Sequence, residues 1–240
     1  MQDFTGIGKK LERAHENIYN LYFEMERFFQ ECDYPLLPED DKELLLKAIE
    51  YHKNLVIPPR FSVLTGEIIH HLRSCFDHVV WHFSVGPVKN PRQIEFPVFK
   101  EPLDKRGRER FEGKIEGITD PKPRALIERL QPHNAADPTD DPLWLIHDFD
   151  IVDKHKELIL CVSTGGVVLP REMQSVIESY QRAHPDFDPA QVARHFKSYG
   201  PSQPFVSFRN FGGRGIKSVS EGLIELFNYT ISVVNEFRIL

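Results

Sequence analysis

Glu67-Ile-Ile-His-His-Leu-Arg-Ser-Cys-Phe-Asp-His-Val-Val-Trp-His82 is the stretch whose reading decides the fold. Ile68, Leu72, Cys75, Phe76, Val79 and Phe83 recur at spacings of three, four and seven, the period of a helix with one face in a core. The neighbouring stripe holds Glu67, His70, His71, Ser74, His78, Trp81 and His82, and Arg73 and Asp77 stand four apart on a third face. A buried helix does not need that much titratable chemistry. A second stretch, Trp144-Leu-Ile-His-Asp-Phe-Asp-Ile-Val-Asp-Lys-His155, again mixes Asp and His into an apolar pattern. Two such helices predict one composite polar site inside a helical protein.

Outward from these stretches, helical periodicity covers residues 7–31, with Ile7, Leu11, Ile18, Leu21, Tyr22 and Met25 on one face, and residues 61–84. A further helix is expected over 39–56, behind the acidic start Glu39-Asp40-Asp41, and short ones over 104–112 and 122–131. Asp141-Pro142 makes a cap and first-turn pair for the second motif helix, which runs to about 156, and the chain closes in an amphipathic helix over 216–238. Strands are expected at Ile94–Phe99, where Pro97 favours an edge, at Leu158–Ser163 and Val167–Leu169 around Thr164-Gly-Gly166, and at Pro204–Arg209. The expected class is mainly α, a helical bundle with a small β-strand appendage. It forms a single domain over 1–240, with its helical core at about 7–84, 141–156 and 216–238, an insert at about 88–140 and the β appendage at about 157–211.

The formal net charge of −6 gives no global basic field for nucleic acid, so a phosphate site has to be local. Lys154, His155, Lys156, Arg209 and Arg214 are the residues that could build one. Three dispersed cysteines without a CxxC spacing suit reduced thiols, and Cys75 falls on the core stripe. No apolar run reaches the roughly 20 residues of a membrane helix. Met1-Gln-Asp-Phe-Thr-Gly6 lacks the basic-then-apolar pattern of a signal peptide, so a cytoplasmic protein without a membrane partner is expected.

Three chemistries fit the polar residues. Arg73 and Asp77 could form an intrahelical ion pair among solvated histidines. His78 and His82 have the four-residue spacing that places two imidazoles together for a metal, with Asp153 or His155 as a further ligand, although HExxH is missing. The third comes from Arg73-Ser-Cys-Phe-Asp-His78, which resembles the Arg-x(4–6)-His signature of the HEPN ribonucleases. That resemblance implies an all-α homodimer that cleaves RNA without a metal or other cofactor, as a toxin with an antitoxin partner or as an antiviral effector. His78 would then transfer the proton, Arg73 would neutralise the phosphoryl oxygens and Asp77 would hold one of the two in place. Lys154, His155 and Ser74 would contact substrate. Ser74 stands where the family usually has Asn, Asp or His. Five steps of roughly 100° set Arg73 and His78 about 140° apart on a straight helix, so the resemblance implies convergence across two protomers. Residues 57–81 and 150–156 are also similar to a group of bacterial proteins, which implies a soluble bacterial protein and no particular activity.

The rival expectation is a non-catalytic helical module that binds a partner protein or a nucleotide, with Arg73, Asp77 and Asp153 in a buried structural network. A metal-dependent hydrolase is a third. An open cleft at Arg73 and His78 favours catalysis, and mutually satisfied, dry side chains favour the structural role.

Overall fold

The computed structural model describes residues 4–31, 55–156, 158, 160–164, 204–209, 211 and 217–240. Helix α1 (Thr5–Glu31) buries Ile7, Ala14, Asn17, Ile18, Leu21 and Met25. Helix α2 (Pro59–Phe83) carries the first motif and starts with a proline in its first turn, where no N–H is needed. Its stripe is the centre of the core: Ile68, Leu72, Cys75, Phe76 and Val79 are all 0% exposed. Burial pushes the Cys75 thiol up to about 12, so it packs as a small apolar side chain. Helix α5 (Pro142–His155) is capped by Asp141, whose carboxylate accepts from the N–H groups of Leu143 and Trp144. Helix α6 (Val219–Arg238) buries Leu223, Leu226, Val233, Val234 and Phe237. α2 touches α1, α5 and α6, so the motif helix is the hub of the bundle.

The insert holds two short helices, α3 (Lys105–Lys114) and α4 (Pro121–Arg129), capped by Asp104 and Asp120. The appendage is a three-stranded antiparallel sheet, β1 (Leu160–Thr164), β2 (Pro204–Phe208) and β3 (Lys217–Ser218), in that order. Cys161 stands opposite Ser207, and the Phe208 ring stacks on Phe149 of α5 at 5.1 Å. The architecture is thus mainly α, with a small sheet against the bundle.

Residues 39–54 of the expected helix over 39–56, the strand over 167–169, the segment 171–199 and the glycine-rich stretch 212–215 lie outside the described residues, and Leu55 and Val56 are not helical. The described partner of β1 is β2. Two expectations are corrected. Tyr22 is 43% exposed and leaves the core face of α1. Ile94–Phe99 is not a strand: a single 3-10 turn (Pro91–Gln93) leads into an irregular segment. The reason lies in where its backbone bonds go. The Phe96 N–H donates to Asp77, the Phe96 and Pro97 carbonyls accept from Arg73 and Gln131, and the Phe99 N–H donates to Gln131. Side chains of α2 and of the chain after α4 take the place of a neighbouring strand.

Gly66 marks the close approach of α2 and α5. A Cβ there would sit 2.0 Å from Asp153 Oδ1. Alanine ordinarily gains roughly 1 kcal/mol over glycine inside a helix. Gly66→Ala is expected to lose that gain in the wild type, where the carboxylate must move, and to recover it in an Asp153→Ala background. Urea unfolding of the four variants measures the coupling, and equal effects in both backgrounds would contradict the crossing described.

Candidate functional site

Arg73 and Asp77, one turn apart on α2, face the insert. Arg73 is 4% exposed and each of its three guanidinium nitrogens has an acceptor. Nη1 donates to Asp77 Oδ1 at 2.5 Å, Nη2 to the Phe96 carbonyl at 2.9 Å, and Nε to His147 Nδ1 at 3.4 Å. Asp77 Oδ1 also accepts the Phe96 N–H at 2.8 Å. The pair therefore grips both backbone polar groups of one residue, Phe96. The Phe96 ring below it packs against Phe76 at 5.2 Å and Phe237 at 6.3 Å, so the clamp also seats an aromatic anchor in the core.

His147 of α5 closes the inner side of this network. Burial, then the neighbouring Arg73 guanidinium, pushes its imidazole down to about 4, so it is neutral at neutral pH. Because Nδ1 accepts from Arg73, the proton sits on Nε2. Glu95 is the residue before Phe96. Burial pushes its carboxyl up, yet the hydrogen bond and charge of Lys114, with Arg73 beyond, hold it below the usual range.

A second polar cluster joins α2 to α5. Asp150 is 3% exposed; its Oδ1 accepts from His70 Nδ1 at 3.0 Å and its Oδ2 from Lys154 Nζ at 2.5 Å. Asp153 stands beside it over Gly66, its carboxyl raised by burial and by the charge of Asp150. The sequence pairs Asp150 with Lys154 by their spacing but does not reveal His70. The available signal was Asp150 itself, a carboxylate next to Phe149 on an apolar helix face, which requires partners.

The remaining sequence-derived candidates are dispersed. His78 is exposed on the outer side of α2 and is not among the partners of Arg73; partial burial and Lys10 lower its pKa. Ser74 donates to the His71 carbonyl of its own helix at 3.1 Å. His82 packs on the Phe4 ring at 4.8 Å. His155 and Arg209 are exposed, and residue 214 lies outside the described residues. Among the described residues no three His, Cys, Asp or Glu side chains come together as a metal site, so His78, His82 and Asp153 are not brought together. The buried network also differs in membership from the expected one: His147 occupies the third place, and Asp153 belongs to the other cluster.

The chemistry open to this arrangement follows from commitment of donors. A guanidinium that stabilises a transferring phosphoryl group needs free N–H groups aimed at it. Arg73 has its nitrogens engaged inside the protein, whereas His70 and His78 present imidazoles to solvent.

The two partners of the clamp should respond unequally to mutation. Asp77→Ala leaves a buried guanidinium without its carboxylate and is expected to cost about 3–5 kcal/mol. Arg73→Met leaves Asp77, whose side chain is 34% exposed and can rehydrate, and is expected to cost about 1–3 kcal/mol. Urea denaturation ranks the two, and the reverse order would contradict the clamp. The pH dependence has a defined sign. His147 binds its proton more weakly folded than unfolded, so between pH 6.5 and about 4 the unfolded chain holds more protons. The His147 contribution is fully present above pH 6.5 and is lost as pH falls toward about 4. His147→Gln should flatten that part of the stability profile, and an unchanged profile would contradict a buried neutral imidazole.

No family model, no curated protein and no solved structure matches the chain. What it does is therefore read from its own residues.

Proposed function

We propose that this chain is a non-catalytic helical binding protein in which Arg73, Asp77 and His147 form an internal joint fixing the insert to the bundle. The observation that carries this reading is the burial of the Arg73 guanidinium at 4% exposure, with each of its nitrogens bonded inside the protein, to Asp77, the Phe96 carbonyl and His147. A substrate phosphate could reach it only after the Phe96 peptide had been released. Exposed aromatic side chains on α1 and α2, with Tyr19 at 54%, Phe23 at 63% and Trp81 at 58%, support binding as the surface property on offer.

A metal-independent endoribonuclease of HEPN-like type, acting as a dimer on RNA, is the second reading. His78 favours it: its imidazole is exposed and its pKa is lowered, so it is neutral and able to take a proton at neutral pH. In that reading Lys154, His155 and Ser74 remain substrate contacts, and Arg73 exchanges its internal partners for the phosphate.

One assay separates the two. Purified protein and its His78→Ala variant are incubated in EDTA with an RNA and with the all-deoxy oligonucleotide of the same sequence. The binding reading expects both strands to survive with both proteins. Cleavage confined to RNA and lost in His78→Ala would establish the nuclease and overturn the binding reading.

A further inference from the structure

The turn that carries Glu95 forms one wall of a surface cavity of about 570 Å3, and α3 forms the other. A backbone bond from the Glu95 N–H to the Lys114 carbonyl ties the walls together. The charged lining is Arg92, Arg106, Arg110 and Lys114 against Glu95 and Glu109. Lys114 is paired with Glu95, which leaves three guanidiniums facing one carboxylate, a surplus of two positive charges.

This surplus is local. Two neighbouring arginines are neutralised: Arg108 pairs with Glu112 and Glu128, and Arg124 with Glu112. Among the described residues Arg92, Arg106 and Arg110 have no ion-pair partner, and Arg110 instead lies over the Phe99 ring at 5.5 Å. Arg106 and Arg110 are four apart on one helix, where like charges repel. Arg106 is also in the first turn of α3, where the helix dipole disfavours a cation. A solvated basic face would be the bland reading of any one of these arginines. Three unpaired guanidiniums around one concavity, in a chain of net charge −6, are a different matter.

We infer that the cavity between the 92–95 turn and α3 binds a phosphate monoester through Arg92, Arg106 and Arg110. The inference rests on the reading of the chain as a binding protein and names its ligand chemistry. A phosphate monoester carries about −1.5 to −2 charges at neutral pH, which matches the surplus. Its three terminal oxygens suit the planar forks of arginine better than they suit lysine. The cavity falls in the size range of small-molecule sites. The same terminal phosphate occurs on a mononucleotide and on the 5′ end of an RNA strand, and the chemistry of the site is common to both.

The test is titration calorimetry in EDTA at low salt. The probes are adenosine 5′-monophosphate, adenosine, and one short RNA with either a 5′-phosphate or a 5′-hydroxyl. The wild type is compared with an Arg106→Gln/Arg110→Gln double variant, in which both substituted side chains are exposed, and with an Arg13→Gln/Arg27→Gln variant that makes the same charge change on α1. At least one phosphate-bearing probe is expected to bind, to weaken by about tenfold or more in the α3 variant, and to be little affected in the α1 variant. Binding of the mononucleotide assigns a small-molecule source, and binding of the 5′-phosphorylated RNA alone assigns a strand end. Three results overturn the inference: no heat with either phosphate probe, equal losses in the two variants, or no difference within either pair, adenosine against the mononucleotide and the 5′-hydroxyl against the 5′-phosphorylated RNA. Recovery of intact RNA from the same samples keeps the claims separate. Cut RNA rejects the binding-protein reading without touching the cavity, and absent binding with intact RNA rejects the cavity alone.

Discussion

A guanidinium and a carboxylate one helical turn apart hold the backbone N–H and carbonyl of a single residue, Phe96. The insert takes its position on the bundle from this grip. Moving a charged arginine out of water is expensive unless its donors are matched, and here each nitrogen of Arg73 meets an acceptor. Asp77 keeps contact with solvent, which limits the penalty on its side. The Phe96 backbone in turn gains hydrogen bonds that a strand neighbour would otherwise supply. The Phe96 ring, 1% exposed, adds burial to the polar contacts, so specificity of position and apolar gain come from the same residue.

The clamp also connects to the proposed ligand site. Glu95 precedes the gripped Phe96 and supplies a wall of the arginine-lined cavity. Its pairing with Lys114 removes one cation from the cavity and leaves the surplus on Arg92, Arg106 and Arg110. A rigid wall beside three unpaired guanidiniums is a preorganised anion site, and the rigidity originates in α2. His70, Asp150 and Lys154 perform a comparable joining task between α2 and α5. In both places titratable residues on an apolar helix serve to fasten a neighbour, which accounts for His70, Arg73 and Asp77 on α2.

Much of the architecture was legible in the chain. The stripe from Ile68 to Phe83 has a period that only a core-facing helix satisfies, and Asp141-Pro142 announces the start of α5 through a cap that depends on neighbours in sequence. Reading failed where the deciding partner was distant. Ile94–Phe99 alternates like a strand, yet its backbone is held by Arg73, Asp77 and Gln131, residues up to 34 positions away. His147 as the acceptor for Arg73, and His70 as the partner of Asp150, are contacts between helices separated by the whole insert. No periodicity encodes them. The Arg73–Asp77 spacing was visible from the start; what it could not disclose was which way the guanidinium points.

The amide of Phe96 offers the most direct measurement of the clamp. Native-state hydrogen exchange followed by nuclear magnetic resonance reports whether this N–H is held by Asp77 as tightly as the core helices are held together. The account predicts that Phe96 exchanges as slowly as the buried amides of α2, and that Asp77→Ala accelerates it far more than it accelerates those amides. Rapid exchange at Phe96 in the wild type would contradict a gripped peptide and free Arg73 for another role.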